Sequence, residues 1–251
     1  MNKVAIQCSS IGNIRWIDLS SQHVFDNRFI SLFRIRISSH LPSLPRLQTL
    51  LQQDEHTRAS RYHQQKDHDR FIISRAWLRI IAGKFTSLPA SEILFVKGEN
   101  KKPFIANSGK QSVFYNVAHS GDWILVSIGE SETGVDIEYV NDQFDYKEIL
   151  EHSFSAEEIA FIRSSENSLG SFYTLWTRKE SLLKATAKGI TDDLINTPSL
   201  DGLAMISPGI IGSTQNWDIY SFEISPDYTG SIACAPRSEM LFFNVDASFP
   251  E

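Results

Sequence analysis

The stretch LWTRKESLLKATAKGI, residues 175–190, has the spacing of a long helix with an apolar face and a charged face. Glu180 precedes Lys184 by four residues, which places both side chains on the same side of that helix. A surface salt bridge, worth about 0.3–0.5 kcal/mol, is the simpler interpretation. In the other interpretation Glu180 binds a metal ion and Lys184 binds a phosphate oxygen, because a metal-bound phosphate needs both signs of charge.

The segment GVDIEYV, residues 134–140, is typical of a strand. Side chains two positions apart on a strand point the same way, so Asp136 and Glu138 are predicted to share one face. Two neighbouring carboxylates repel each other unless protons or a cation intervene, and Mg2+ prefers oxygen ligands. Two ordinary acids on a solvent-facing strand are the alternative interpretation, and the pattern alone leaves both open.

The segment NVAHSGDW, residues 116–123, places His119 at a predicted turn between two strands. In such a position the ring nitrogens of an imidazole can reach an anion or the backbone. A structural or merely exposed histidine is the alternative interpretation of this segment.

The composition narrows the class of protein. The chain of 251 residues has a formal net charge of −6, which argues against general binding to nucleic acid or to a membrane surface. Its two cysteines, Cys8 and Cys234, lack CxxC spacing, so we expect neither zinc nor a disulfide framework but a reducing compartment. No apolar run resembles a signal peptide or a membrane span. We therefore expect a soluble cytoplasmic protein.

The predicted elements give an α+β fold. Helices are predicted near 66–85 and 171–188, and a shorter helix after Ser155, whose capping-box partner is Glu158. Strands are predicted at 12–20, at three places within 112–140 as an antiparallel meander, and at three places after residue 215. The two long helices occupy similar places and each is followed by sheet. We therefore predict two similar halves, residues 1–128 and 129–251, with the candidate metal site in the second.

The order and spacing of the three segments are more specific than any one of them. NVAHSGDW, GVDIEYV and WTRKESLLKATAKG resemble the N-x-S-H-S-x-x-W, G-[IV]-D-[IV]-E and W-[ST]-x-K-E-[AS]-x-x-K-x-x-G-x-G motifs of the 4'-phosphopantetheinyl transferases. Upstream, RASRYHQQKDHDRFIISRAWLR and ENKKPFI are similar to further segments of that family. The resemblance covers residues 55–190 and is greatest to the larger type, which activates nonribosomal peptide and polyketide synthases.

At three places the chain has residues other than those usual in the motifs. Val117 and Ala118 replace the more usual pair before His119, and Lys101 stands where a glycine normally precedes Lys102. Ala187 stands where the long motif has its first glycine. None of the three departures removes a charged residue on which the chemistry of the family rests.

The resemblance implies transfer of the 4'-phosphopantetheine arm of coenzyme A to a serine of an apo carrier protein, with release of adenosine 3',5'-bisphosphate. It implies that Asp136, Glu138 and Glu180 bind Mg2+, with Mn2+ as the alternative ion. Glu180 is implied as the base, as a metal ligand, or as both. Lys184 is expected to pair with the transferred phosphate, and His119 with the pyrophosphate or the adenosine 3'-phosphate.

The resemblance also implies an anion patch for the nucleotide end of coenzyme A, formed by Arg58, Arg61 and Lys102. Arg70 follows Asp67 by three residues, so an ion pair within the helix is at least as good an interpretation for Arg70 as contact with the ligand.

Two residues of the long helix are assigned by their position. Trp176 is expected in the core, where it would hold the helix against the strand of Asp136. Lys179 lies about 100° around the helix from Glu180 and is expected to face the nucleotide or water.

The implied architecture is a pseudo-dimer within one chain, with coenzyme A in a cleft between the halves, and hence a monomer. The implied partners are coenzyme A, as substrate, and an acyl or peptidyl carrier protein of nonribosomal peptide, polyketide or fatty acid biosynthesis, with neither nucleic acid nor membrane involved. Another Mg2+-dependent phosphoryl or nucleotidyl transferase and a non-catalytic nucleotide-binding domain are the alternatives. The presence of all three carboxylates and Lys184 favours an enzyme.

Overall fold

The computed structural model of the chain describes residues 3–20, 23, 25–26, 28–98, 102–109, 112–189 and 192–246. Its strands are β1 (Val4–Ser10), β2 (Ile17–Asp18), β3 (Ile30–Arg36), β4 (Phe95–Lys97), β5 (Pro103–Ile105), β6 (Val113–Ser120), β7 (Trp123–Gly129), β8 (Gly134–Tyr139), β9 (Gly202–Ile206), β10 (Trp217–Ser225), β11 (Tyr228–Cys234) and β12 (Met240–Val245). Its α-helices are α1 (Ile37–His40), α2 (Leu44–Gln48), α3 (Gln53–Ala59), α4 (Gln65–Thr86), α5 (Lys147–Ser153), α6 (Ala156–Ser164), α7 (Ser168–Thr186) and α8 (Pro208–Ile211). Short 3-10 helices span Leu41–Ser43, Ala90–Glu92 and Asp192–Asn196.

The strands form two sheets, and each sheet is covered by one of the long helices. Within the described residues, the first sheet has seven strands in the order β2-β12-β3-β7-β6-β5-β4, and the second has five in the order β8-β11-β10-β1-β9. Helix α4 packs on the first sheet and α7 on the second. The predicted α+β fold with two helix-and-sheet halves is confirmed.

Each sheet takes one strand from the opposite end of the chain. β1 joins the second sheet, where it pairs in parallel with β10 and Ile6 lies opposite Trp217. β12 joins the first sheet, where it pairs in parallel with β3 and Phe243 lies opposite Phe33. The predicted boundary between residues 128 and 129 falls at the last residue of β7, just before the chain passes from the first sheet to the second. At the two ends, however, the sheets do not follow that boundary.

The predicted meander of three strands is only partly formed. β6 and β7 are an antiparallel hairpin, but β8 pairs with β11 in the second sheet. The reason is that β8 is buried on both faces. Val135 and Ile137 pack into the apolar layer between the sheets, and Asp136 lies on the other face, beneath α7. A strand beside β6 at the surface could not bury both faces in this way.

The apolar layer between the sheets, here called the seam, joins the two halves. Its buried side chains are Ile30, Leu32, Ala118, Leu125, Val135, Ile137, Phe222, Ile224, Ile232, Cys234 and Phe242. A polar bond crosses beside it, because Asn116 Oδ1 of β6 accepts a hydrogen bond from the backbone N–H of Val135 at 2.9 Å. The seam therefore brings β6, which carries His119, next to β8, which carries Asp136.

The helix predictions are confirmed, and one strand prediction is wrong. α4 and α7 cover the two predicted long helices, and Ser155 and Glu158 form the predicted capping box of α6. The predicted strand at 12–20 is reduced to Ile17–Asp18, because Asn13 has a φ of 54°, which interrupts an extended backbone. Among the described helices, none combines the length and the apolar character that a bilayer crossing requires.

A buried ion cluster fastens α3 to α4 in the first half. Glu55 accepts hydrogen bonds from Arg75 Nε at 2.5 Å and from Arg79 Nε at 2.7 Å. It also accepts one from the backbone N–H of Gln52 at 2.9 Å, which caps α3. Burial alone raises the pKa of Glu55, but the bonds from Arg79 and Gln52 and the charge of Arg75 bring that pKa below its usual value.

We expect Glu55→Gln to lower the free energy of unfolding by about 3–5 kcal/mol at neutral pH, because it leaves two arginines beside a neutral group. The folded-state pKa of Glu55 is depressed, so its contribution is present above the unfolded-state pKa and is lost as pH falls through the folded-state pKa. The difference between wild type and variant, measured by urea unfolding, should therefore be constant at neutral pH and shrink as the pH falls below the ordinary glutamate pKa of 4.5.

The matched control is Asp54→Asn, one residue earlier on the same helix and exposed. It should change stability by no more than about 0.5 kcal/mol. A Glu55→Gln penalty that stays constant on acidification would contradict the assignment of the ion cluster.

Candidate active site

Helix α7 lies directly on strand β8, and a glycine makes this possible. A Cβ atom on Gly134 would overlap the carbonyl oxygen of Ser181 and the amide nitrogen of Ala185. Because glycine has no side chain, the helix backbone approaches the strand more closely than it could approach any other residue. The close contact brings Asp136 of the strand within reach of Lys184 of the helix.

Asp136 is buried under α7 and only partly compensated. Its Oδ1 accepts a hydrogen bond from Lys184 Nζ at 2.5 Å. Within the described part of the chain, no donor reaches Oδ2, which is also buried. Burial raises the pKa of Asp136, although the charge and hydrogen bond of Lys184 act in the opposite direction. Lys184 thus pairs with Asp136 of the neighbouring strand, and the simple i,i+4 salt bridge to Glu180 is not formed between the described atoms.

Glu138 lies two residues further along β8, close to the end of β6. Its Oε2 accepts a hydrogen bond from Ser120 Oγ at 2.9 Å. Burial, and then the charge of Asp136, raise the pKa of Glu138 to about 7, and Glu180 adds to the shift. The Ser120 bond and the charge of Lys184 oppose it.

Glu180 reaches the same region from α7. It is buried, and among the described residues no donor lies within hydrogen-bonding distance of its Oε1. Burial, followed by the charge of Asp136, raises the pKa of Glu180, against the opposing charge of Lys184. The three carboxyl groups predicted to bind a metal ion therefore share one electrostatic environment that disfavours their ionised forms.

The chemistry of these side chains fits a divalent cation. In the described residues, no three or more His, Cys, Asp or Glu side chains are arranged as a ready metal site. Nevertheless, every donor is a carboxylate oxygen, and Asp136 Oδ2 and Glu180 Oε1 are buried without a partner. A hard cation is what such a set of oxygens would accept. The Lys184 side chain is 33% exposed, and its ammonium group balances part of the negative charge of the carboxylates.

A basic cavity of about 510 Å3 has a size typical of small-molecule sites, and its lining includes Asn116, which binds the backbone N–H of Val135, the residue before Asp136. Its cationic lining residues are Arg58, Arg70, Arg75 and Lys97, with His119, and its acidic ones are Asp54 and Asp67. The excess of positive charge suits a polyanionic ligand. All of its lining residues belong to the first half, so the predicted coenzyme cleft between the halves stays a prediction.

His119 connects the cavity with the carboxylates. It lies on β6, where it is exposed to the cavity, and the next residue, Ser120, binds Glu138. Loss of bulk water, and then the charges of Arg70 and Lys184, lower the pKa of His119. A neutral imidazole in this place can both donate and accept a hydrogen bond.

Three arginines, Arg58, Arg61 and Arg70, differ in their position relative to the basic cavity. Arg58 lines the cavity, and its guanidinium lies over the ring of Phe71 at 5.1 Å. Arg61 lies exposed in the turn after α3 and does not contribute to the described lining of the cavity. Arg70 lines the cavity and also pairs with Asp67 at 3.0 Å, which confirms the predicted ion pair within the helix.

Lys102 is directed away from the predicted anion patch. It is buried, and its Nζ donates a hydrogen bond to the carbonyl oxygen of Ala185, near the end of α7. Its nearest acid is Glu132, at 3.9 Å. Burial lowers the pKa of Lys102 to about 8. The structure therefore does not bring Lys102 together with Arg58.

Two residues of α7 differ from expectation. The prediction that Lys179 faces the nucleotide or water is wrong, because it is fully buried, pairs with Glu158 at 2.8 Å and donates to two carbonyl groups within 194–197. Trp176 is partly buried and stacks on Phe172 in the cluster of α5, α6 and α7. Phe172 belongs to α7 itself, whereas the ring of Phe154, just after α5, lies 6.3 Å from that of Trp176, so Trp176 packs toward α5. It also lines one groove together with Glu138 and Tyr139 of β8.

Some residues of the site were not singled out from the sequence. Arg75 lines the cavity, Asn116 binds the backbone of β8, and Ser120 binds Glu138. A signal existed for Asn116 and Ser120, because each is a polar residue within a β-branched and aromatic strand. Arg75 carried no such signal, since a charged residue on a long helix usually faces solvent.

Comparison with known proteins gives two adjacent family matches. The model of the N-terminal part of 4'-phosphopantetheinyl transferases matches residues 41–131, and the model of the 4'-phosphopantetheinyl transferase superfamily matches residues 132–233. Together they extend from before α2 to within β11.

Individual relatives agree. The chain is 32% identical over 191 residues to a putative 4'-phosphopantetheinyl transferase of Synechocystis sp., covering 74% of this chain and 77% of the relative. It is 34% identical over 132 residues to the 4'-phosphopantetheinyl transferase gsp of Aneurinibacillus migulanus, covering 52% of this chain and 53% of the relative. It is 24% identical over 193 residues to the 4'-phosphopantetheinyl transferase Sfp of Bacillus subtilis, covering 76% of this chain and 84% of the relative.

We expect Gly134→Ala to lower the free energy of unfolding by about 1–3 kcal/mol, because the added methyl group would overlap the backbone of α7 at Ser181 and Ala185. The shift of α7 should also separate Lys184 from Asp136. Thermal unfolding measures the loss of stability, and the chemical shift of the Lys184 ammonium nitrogen, followed by NMR at fixed pH, reports the separation.

The matched control is Gly12→Ala, where an added Cβ would have no heavy atom within 4 Å and the backbone φ is not positive. This variant should leave both measurements unchanged. Equal stability of the two variants would show that α7 does not depend on the close contact at Gly134.

Proposed function

Because the chain belongs to the 4'-phosphopantetheinyl transferase superfamily, we propose that it transfers the 4'-phosphopantetheine arm of coenzyme A to a serine of an apo carrier protein, in a reaction that depends on Mg2+. The observation that carries the proposal is the group of three buried carboxyl groups that act on one another electrostatically, together with a basic cavity whose His119 is influenced by Lys184 of that group. Coenzyme A carries three phosphate groups, whose negative charge cationic side chains can balance. A metal ion at its pyrophosphate would be bound by acidic side chains.

Asp136, Glu138 and Glu180 would hold the cation through carboxylate oxygens. When bound, Mg2+ would neutralise charge on the pyrophosphate and on the leaving phosphate. The unpartnered oxygens of Asp136 and Glu180 support this assignment, since buried carboxylate oxygens without donors are costly unless a cation joins them.

The residues around the carboxylates would orient the phosphates. Lys184 would move its ammonium group from Asp136 to a non-bridging oxygen of the transferred phosphate. His119, at the wall of the cavity, would donate to the pyrophosphate or to the adenosine 3'-phosphate. Arg58, Arg70 and Arg75 would hold the adenosine end, because they line the same cavity.

In the transfer itself, the oxygen of the carrier serine attacks the phosphorus next to pantetheine. The bond from this phosphorus to the bridging oxygen breaks, and adenosine 3',5'-bisphosphate leaves with the negative charge. The serine proton must be taken up as the new bond forms. Glu180, whose pKa is raised by burial and by Asp136, is the proposed acceptor, directly or through water.

The carrier protein would approach over an apolar groove beside Glu138. The groove has a volume of about 380 Å3, and its lining includes Ser120, Tyr139, Phe144 and Trp176. Tyr139 and Phe144 are exposed although they are large and apolar. Exposed aromatic side chains at a site entrance are typical of a surface that binds another protein.

The test is incubation of the purified protein with coenzyme A, Mg2+ and several apo carrier proteins, followed by mass spectrometry of the carriers. We expect a gain equal to the phosphopantetheine arm on at least one carrier, and none after chelation of the metal. Glu180→Gln and Asp136→Ala should each abolish transfer. Glu180→Gln should also leave the free energy of unfolding unchanged or raise it by about 1 kcal/mol, since it removes a buried carboxylate without a partner.

Glu157→Gln is the control for these variants, because Glu157 is an exposed acid on α6. It should transfer at the wild-type rate. Substantial transfer by Glu180→Gln would contradict the assignment of the site, and no gain on any carrier would contradict the proposed function.

A second prediction concerns the nucleotide end. Arg58→Ala should raise the KM for coenzyme A about tenfold, which is the loss expected for one charge-assisted hydrogen bond to a phosphate. The value of kcat should change less, because Arg58 lies away from the reacting phosphorus. Steady-state kinetics with varied coenzyme A measures both.

Arg46→Ala, on an exposed position of α2, is the control and should leave the KM unchanged. Arg61→Ala, measured alongside, tests whether the anion patch extends to the turn after α3. An unchanged KM in Arg58→Ala would remove this arginine from the nucleotide site.

A further inference from the structure

A second cavity lies on the opposite side of α7 from the carboxylates, with a volume of about 430 Å3. Arg178, one of its lining residues, precedes Glu180 by two positions and so lies about 200° around the helix from it. Of the residues assigned to the transferase site, Asp136, Glu138 and Lys184 do not contribute to its described lining. The cavity therefore has a lining of its own, although Val140 and Thr229 place one end of it near Glu138. A ligand could bind at Arg178 whether or not the chain carries out the proposed transfer.

Arg178 supplies the charge at the base of this cavity. Arg178 is 2% exposed. Its guanidinium group donates hydrogen bonds to four acceptors. These are Ser221 Oγ at 2.7 Å, the carbonyl oxygen of Ser199 at 2.7 Å, Ser10 Oγ at 3.0 Å and Asp201 Oδ1 at 2.7 Å. Only Asp201 among these four partners carries a negative charge.

The ion pair between Arg178 and Asp201 is unequal. The Arg178 side chain is almost completely buried, whereas the Asp201 side chain is 72% exposed. A buried guanidinium is stabilised by an anion, but an exposed carboxylate gains little from the pair because water competes for it. A carboxylate from another molecule can therefore replace that of Asp201. Ser10 can assist, since its oxygen accepts from Arg178 and its hydroxyl proton stays available as a donor.

The walls of the cavity restrict the ligand further. Phe161, Leu175, Phe222 and Tyr228 provide apolar surface, and Phe161 is 48% exposed although it is a large apolar side chain. Glu223, also in the lining, adds negative charge that opposes a phosphorylated or multiply charged ligand. The lining thus suits one carboxylate group attached to an apolar body.

We propose that this cavity binds a small monocarboxylic acid, whose carboxylate replaces that of Asp201 on Arg178 and whose apolar body packs against Phe161 and Tyr228. Asp201 then acts as an internal competitor that occupies the guanidinium when no acid is bound. The cavity is large enough for an aromatic ring with a short acidic side chain.

The test uses phenylacetate and its neutral analogue phenylacetamide, each titrated into the whole protein and followed by ligand-observed NMR. For a ligand of this size we expect a Kd of about 1 mM for phenylacetate and no measurable binding of phenylacetamide. Asp201→Ala should tighten the binding of phenylacetate about tenfold, because the competing carboxylate is gone. Arg178→Gln should abolish it.

Because removal of a buried guanidinium can unfold the chain, Phe161→Glu provides an independent test at an exposed position. It removes an aromatic wall and adds a like charge, so it should weaken the binding of phenylacetate by at least about tenfold. Asp142→Ala, at an exposed acid outside the described lining of the cavity, is the control and should bind as wild type does. Absence of binding to Asp201→Ala, equal binding of phenylacetamide, or unchanged binding to Phe161→Glu would each overturn the proposal.

Discussion

The close contact between α7 and β8 at Gly134 determines the geometry of the active site. The helix carries Glu180 and Lys184, and the strand carries Asp136 and Glu138, so the distance between the two elements sets the distances between these two pairs. Because the helix backbone rests on a residue without a side chain, Lys184 can reach Asp136 and both acids of the strand lie under or beside the helix. The result is three carboxyl groups whose pKa values are all raised, first by burial.

Polar anchors on its other sides hold α7 in place against this strand. Lys179 binds Glu158 of α6, Arg178 binds Ser221 of β10, and Thr177 Oγ1 lies 2.8 Å from Ser231 Oγ of β11. Apolar packing alone is not directional, so it would tolerate small shifts of the helix along its axis. Hydrogen bonds to particular atoms tolerate less, because their energy falls steeply with misalignment. A site that depends on the relative position of four side chains benefits from this restriction.

The sequence predicted the local elements better than their partners. Helical periodicity and the capping box located α4, α6 and α7, because these signals act within a few residues. The pairing of β8 with β11 was missed, since no local pattern tells a strand which neighbour it will have. The order and spacing of the motifs allowed Asp136, Glu138, Glu180 and Lys184 to be named as one group. The inward direction of Lys102 and the burial of Lys179 could not be foreseen in this way. Both lysines donate to backbone carbonyl groups of distant segments, which the sequence does not reveal.

The exchange of end strands between the sheets has a consequence for the biogenesis of the protein. β12 is an interior strand of the first sheet, and its Asn244 pairs with Arg34 of β3 across 210 positions of the chain. As the polypeptide leaves the ribosome, β3 therefore lacks one of its neighbours until Met240–Val245 has been synthesised. β1 likewise lacks its two neighbours until β9 and β10 have been synthesised. Contacts of such long range slow folding and leave strand edges open, so the nascent chain depends on late closure and cannot complete either half on its own.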